Sequence, residues 1–368
     1  MGSLVSIEHS ERKLTSEAEK AAYRAYASKR ITVLVLLLLL CVVMSIISLR
    51  SGEYHISSAD VVRSVFHSTT DTHHVIIWDI RLPRILAALL VGSSLAVAGT
   101  VMQCILRNPL ASPYTLGISN AAAFGAALSI MISCQGLFVD STIASFFRGP
   151  YGMAIGAFVW SMVNVFIIIL LAKATRVTPE AMVLAGIALS TIYGAALASL
   201  QYFADESTLA AIVYWQFGNL AKASWNGLGI LFVLFVPIIS YFLFKRWDYN
   251  AMDVGDDVAT SLGVNTTKTR VVGMTLAATL TAVCVSLVGI IGFVGLLGPH
   301  IVRRLIGNDN RYVIPISAVM GIVILLISDY IGRFSFNLIL PVGIITSFLG
   351  GPLFLYILLR GYRKDATC

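Results

Sequence analysis

Charge is what this sequence lacks most. Only 12% of its 368 residues are Asp, Glu, Lys or Arg, 57% are apolar, and the mean hydropathy is +0.85. A soluble domain carries about 25% charged residues, so the chain reads as a polytopic, all-helical membrane protein. Catalytic signatures are missing too. There is no G-x-x-x-x-G-K-[ST] phosphate loop, so any ATP use must come from another chain. There is no HExxH, no G-x-S-x-G and no metal-spaced Cys/His set. An intramembrane enzyme would need paired catalytic groups within apolar runs, and none stand out. Cysteine offers no CxxC pair: Cys41, Cys104, Cys134 and Cys284 lie in or beside apolar runs and Cys368 ends the chain. They read as free thiols acting as small apolar residues, with metal or disulfide chemistry as the alternative. Carboxylates at mid-membrane depth, which proton- or sodium-driven carriers use, are nearly absent. The one good candidate is Asp329, four residues before Arg333, a spacing that lets the two pair on a helix. A channel or secondary carrier is the reading this scarcity argues against.

Long apolar runs are abundant. Crossing roughly 30 Å of hydrocarbon takes about 20 apolar residues, and candidates lie at 31–49, 85–105, 116–134, 152–172, 181–204, 227–245, 270–291, 293–306, 313–331 and 340–360. The eighth is short, and the third is mostly Ala, Gly and Ser. Residues 1–30 mix acidic and basic side chains and read as a cytoplasmic tail. Residues 31–360 read as one membrane domain, and 361–368 as a second short tail. The first run is expected to be retained as a span, because Leu49-Arg50-Ser51-Gly52-Glu53 offers no small-residue cleavage site.

Ten spans put both termini on one side, and the basic residues say which. With the N-terminus inside, 19 of the 26 Lys and Arg residues fall on inner segments. The other 7 (Arg50, Arg63, Arg81, Arg84, Arg148, Lys222 and Arg333) fall outside. This is the positive-inside bias. It also removes a nucleic-acid partner, since the net charge of +7 consists of topology signals.

Four segments between or within the runs are distinctive. The first outer loop, Arg50 to Arg84, holds four of the six histidines (His55, His67, His73 and His74), read as solvated positions or, alternatively, a metal site. The outer segment Asp205 to Asn226, with Trp215 and Trp225, is expected to form an interfacial hairpin. The inner segment 245–270 contains Ala251 to Leu262, where Val254, Val258 and Leu262 recur at i, i+4, i+8. This predicts a short amphipathic helix suited to a cytoplasmic partner, or else a solvated connector. Finally, GIIGFVGLLGP between Gly289 and Pro299 spends four glycines in an apolar stretch, at about 1 kcal/mol each in a helix. That predicts closely packed or broken helix, followed by His300 and Arg303–Arg304.

Read whole, the chain resembles a known family. RLPRILAALLVGSSLAVAGTVMQCILRNPLASPYTLGISNAAAFGA is similar to the signature of the FecCD-type permeases. LAGIALS at 184–190, GDDVATSLGVN at 255–265, GFVGLLGPHIVRRLIGNDNR at 292–311 and LPVGIITSFLGGPLFLYILL at 340–359 follow in the family's order and spacing. The resemblance implies a type II ABC importer permease with ten spans. It works as a dimer of permeases, self or paralogue, above two ATPases that bind the ATP and Mg, and it is served by an extracytoplasmic binding protein in a prokaryotic cell membrane.

The resemblance further assigns binding-protein docking to Arg81, Arg84 and Arg333, against the alternative of interfacial arginines that hold lipid headgroups. It places ATPase coupling at Asp256, Asp257, Ala259, Leu262, Gly263 and Val264. It places a cytoplasmic gate at Asn108 and Leu110 and around Thr178 and Pro179, the latter pair departing from the small hydroxyl residues of some members. The pathway falls to the fifth span, Leu184 to Gln201, with Ser190, Thr191, Ser199 and Gln201, which serve helix packing equally well. The implied cargo is an iron–siderophore-type chelate, with cobalamin or haem as the alternative; no cofactor is expected on this chain.

Overall fold

The computed structural model describes residues 2–52, 56–57, 64, 72–135, 146–147, 149, 151–174, 178–334 and 339–365, with side chains for all but 2–23, 25, 135 and 357–365. His55, His67, Arg63, Arg148 and Arg176 lie outside the described residues. No strand occurs among the described residues; the elements are helices. In chain order they are α1 (Gly2–Arg50), α2 (Leu82–Ile105, entered through a π-helical turn, Ile76–Arg81), α3 (Ile118–Gln135), α4 (Gly152–Ala174), α5 (Pro179–Phe203), α6 (Glu206–Gln216), α7 (Trp225–Phe244), α8 (Arg246–Val254), α9 (Asp256–Ser261), α10 (Thr266–Val288), α11 (Val294–Ile306), α12 (Asn310–Phe334) and α13 (Val342–Asp365).

The starts of several helices follow from local chemistry. Thr178, Asp205, Ser224 and Asn265 are N-caps whose side-chain oxygens accept backbone N–H bonds from Ala181, Thr208, Gly227 and Lys268. Pro179 follows Thr178 at the first helical position, where its missing N–H costs nothing.

Each of the ten expected spans coincides with a helix. Among the described residues, seven helical spans are long and apolar enough to cross a membrane, and Ile118–Cys134 and Val342–Tyr356 are shorter apolar helices. The eighth, α11, has 13 residues, about 20 Å of helix against roughly 30 Å of hydrocarbon. Its beginning also sits deep. A methyl on Gly99 would overlap the Gly295 carbonyl, and Gly99 is about 25 Å along α2 from Leu82. The turn at 289–293 therefore dips inward. Ile290 forms an isolated parallel bridge with Phe217, Asn219 N–H donates to Val288 O at 2.7 Å, and Gly343 N–H donates to Gly218 O at 3.0 Å.

α2 is the hub. From Ala87 to Ile105 almost every residue is buried, beneath α7, α10, α11 and α12. α3, α4 and α5 form a second group, joined to the first through α10, and α1 lies outermost against α12. The glycine run is the framework its composition implied: Gly295 meets Leu95 and Gly99 on α2, and Gly298 meets Ala96.

Two expectations change. The segment 205–226 consists of helix α6 and a 3-10 turn, Leu220–Lys222, and α6 is not purely interfacial: Ile212 and Trp215 are buried in the core while its other face is exposed. Ala251 to Leu262 is not one helix. It breaks at Gly255, whose φ of 152° and ψ of 156° only glycine adopts readily, so α8 and α9 meet at an angle.

Candidate translocation and docking sites

A cavity of about 630 Å³ opens where the dipped turns meet. Phe217 and Gly218 after α6, Ile290 and Phe293 before α11, Ser347 and Phe348 of α13, and Leu110 line it. No charged residue lines it, and its polar groups are hydroxyls, one amide and backbone. Its volume lies in the range of small-molecule sites, about 300–1,000 Å³. Phe293 adopts a left-handed conformation at φ 66°, a strained choice for an aromatic residue, and its ring packs where a Gly350 side chain would otherwise stand. Sequence reasoning found only Leu110 of this lining. The rest comes from the link after α2, the turns after α6 and before α11, and helix α13, far apart in sequence, and carries no motif for a cavity.

α5 has one face unpartnered. Met182, Gly186, Leu189, Tyr193 and Leu197 face the protein, whereas Leu184, Ile187, Thr191, Ile192, Ser199 and Tyr202 are exposed. Thr191 and Ser199 lie on that open face with their hydroxyls returned to Ile187 O and Ala195 O. Gln201 is half-buried. Ser190 turns inward, where its Oγ accepts from Asn120 Nδ2 at 2.7 Å. Of the expected pathway residues, Ser190 thus acts as a packing contact between α3 and α5.

The two expected gate elements are not joined by a hydrogen bond among the described residues. Asn108 folds the link after α2, its Oδ1 accepting Leu110 N–H at 2.9 Å. Thr178 and Pro179 are the cap and first residue of α5.

The three outer arginines do come together, but buried. Arg84 Nε donates to Asp329 Oδ1 at 2.8 Å, and Arg333 Nε lies 3.0 Å from Asp329 Oδ2. The pairing of Asp329 with Arg333 is present as the spacing implied, and Arg84, which the sequence could not place there, takes the better hydrogen bond. Arg333 Nη2 also donates to Ser48 Oγ, and Arg81 Nη1 donates to Leu49 O and Arg50 O at the end of α1. Arg81 and Arg84 are only 6% and 9% exposed, so they bind neighbouring elements rather than standing free at the surface. Of the first-loop histidines, His74 Nδ1 lies 3.1 Å from Ser64 O, which also accepts from Trp78 Nε1.

On the inner side, the expected coupling residues divide. Asp257, Leu262 and Gly263 are exposed and Val264 is half-buried. Val254 and Leu262 are 71% and 70% exposed, a bare apolar pair on the inner surface. Ala259 is fully buried, its carbonyl accepting Val264 N–H, so it cannot touch a partner. Asp256 is held by Arg270, whose Nη2 donates to both carboxylate oxygens at 2.8 and 2.9 Å. Arg270 is itself buried and donates to Ile105 O. That network fixes α9 to α10 and to the end of α2.

A second knot lies nearby. Asn250 and Arg311 both donate to Asp309. Burial alone would raise this carboxyl, but the hydrogen bonds from Arg311 and Asn250 hold it down to about 2. On the outer side, burial lowers the Lys222 ammonium to about 8 while it donates to the last carbonyls of α6, at Tyr214 and Trp215.

Comparison with known proteins places this architecture. A permease protein of an ABC transporter in Methanocaldococcus jannaschii is 49% identical over 93% of this chain and 98% of its own. The hemin transport system permease of Yersinia pestis is 36% identical over 88% of this chain and 94% of its own. An inward-facing structure of a metal-chelate type ABC transporter superposes with a TM-score of 0.77 at 31% identity, covering 89% of this chain and 99% of that one. The profile of the FecCD transport family matches residues 38–360, and the chain belongs to that family of multi-pass membrane permeases.

Proposed function

We propose that this protein is the permease subunit of an ATP-driven importer in a prokaryotic cell membrane, and that it passes an iron–siderophore-type chelate inward. The uncharged cavity of about 630 Å³ carries the reading. It suits a bulky ligand whose metal charge is already masked, and it offers no fixed charge to trap such cargo. Release then depends on movement of the walls. The exposed face of α5, with Ala188, Thr191, Ala195 and Ser199 at helical spacing, suits close approach of a second permease subunit. Leu110 and Asn108 on one link and Thr178 and Pro179 on the other would close the inner end.

Two ATPase subunits, which bind the ATP and Mg, dock on the inner surface. Val254, Asp257, Leu262, Gly263 and Val264 supply the contact, and Asp256 transmits movement through Arg270 to the spans. An extracytoplasmic binding protein delivers the cargo to the outer rim. There Arg84 and Arg333, which share the carboxylate of Asp329, and Arg81, held by the end of α1, attract acidic groups through their field rather than by direct contact.

The test is uptake by proteoliposomes holding this permease, its ATPase and its binding protein, offered ferric hydroxamate, ferric citrate, hemin and cobalamin. Ser347→Trp, which fills the cavity, should abolish uptake while the ATPase still co-purifies. Unchanged uptake by that variant would remove the cavity from the path. Preference for hemin or cobalamin would keep the transport role and replace the cargo.

A further inference from the structure

We propose that the cavity between the inner ends of α2, α8 and α11 is an oxyanion site, built to hold a phosphate group at the inner face of the protein. The cavity has a volume of about 470 Å³ and is lined by Arg107, Arg303 and Arg304 together with Asn108, His300 and Asp253. Asp253 is its one carboxylate, and it is already engaged. It accepts from Asn310 Nδ2 at 2.7 Å and lies 3.6 Å from Arg303 Nη1. The Arg107 and Arg304 side chains are exposed and have no hydrogen-bond or ion-pair partner among the described residues. His300 Nε2 and Arg303 Nε are buried polar atoms without a hydrogen-bond partner among those residues. Buried polar atoms are normally paired, so two orphans bordering one concavity point to something that enters it.

Simpler accounts cover only part of this. The positive-inside bias places arginines on the inner side, but it does not require three from two elements to converge on one hollow. The carbonyl end of α11 favours cations in its last turn, by about 0.3–1 kcal/mol each. That accounts for Arg303 and Arg304, not for Arg107 on the far side. Arg107 instead sits at φ 44°, a left-handed conformation uncommon for a residue with a side chain. Planar guanidinium groups match phosphate oxygens in pairs. An anion seated here would tie the link after α2, with Asn108, to the end of α11. The phosphate could come from an anionic lipid headgroup of the inner leaflet or from free phosphate in solution. The site shares Asn108 with the proposed inner gate and adjoins the proposed ATPase contact at Val254, but its test reads anion binding rather than transport, so the two readings fail separately.

The test uses the full-length permease in nanodiscs. One arm measures binding of radiolabelled inorganic phosphate in phosphatidylcholine discs at constant ionic strength. The other uses discs containing phosphatidylglycerol and native mass spectrometry to detect retained lipid. Arg107→Gln and Arg304→Gln remove unpartnered side chains and should leave the thermal midpoint unchanged. Arg246→Gln, an exposed inner arginine that does not line the cavity, is the control. Saturable phosphate binding identifies the free ion, and retained phosphatidylglycerol identifies the headgroup. In either case each cavity variant should weaken binding by about tenfold or more, the loss expected for one charge-assisted hydrogen bond, and the control should not. Binding of neither probe, or an equal loss in Arg246→Gln, overturns the proposal.

Discussion

A methyl group at Gly99 has nowhere to go, because it would overlap the backbone of Gly295 where α2 crosses α11. Gly99→Ala should therefore lower stability by about 1–3 kcal/mol or more, seen as a lower unfolding midpoint of the purified protein. Gly229 on α7 faces open space, so Gly229→Ala should be neutral or stabilise by up to about 1 kcal/mol through helix propensity. Asp329 is the reverse case, a buried group whose loss leaves charges behind. Asp329→Asn would strip the shared partner from Arg84 and Arg333, and such a deletion costs about 3–5 kcal/mol. Asp329→Asn should thus unfold at markedly lower temperature, whereas an unchanged midpoint would mean the cluster contributes little. Asp309 gives a pH signature. Its folded pKa, held down to about 2, lies below the unfolded value of about 4. Its contribution is complete above pH 4 and lost as pH falls through 2. The acid limb of the stability curve should flatten in Asp309→Asn.

The inner surface element depends on a break. Had α8 and α9 been one helix, Val254, Val258 and Leu262 would form one stripe. The turn at Gly255 divides them, and the bidentate bond from Arg270 to Asp256 fixes the second piece. Leu262→Asp should leave the fold intact, since the side chain is 70% exposed, and should lower ATPase stimulation several-fold in the assembled transporter. If the ATPase still associates and responds normally, coupling lies elsewhere. Element types were legible because apolar runs near 20 residues and N-cap residues act locally. The helical repeat in 251–262 was legible too, but the i, i+4 pattern continues across Gly255 and hides the break. The junction of Arg84 with Asp329 was illegible for another reason: 245 residues separate them, and only the packing of α2 on α12 brings them together.

For the whole molecule, the ten helices followed from hydrophobic length, and the distribution of basic residues sets the orientation expected for them. The cavity did not, because it arises where the turns after α6 and before α11 meet helix α13, and nothing in Phe217, Phe293 or Phe348 marks them as neighbours. The same geometry explains why α11 can be short: the inward turn before it shares the crossing. The measurement that bears most directly on the account is cargo accumulation in sealed proteoliposomes containing permease, ATPase and binding protein. The account predicts accumulation only with internal ATP and the binding protein present, and none with an imposed proton or sodium gradient alone. Accumulation driven by such a gradient without ATP would contradict it.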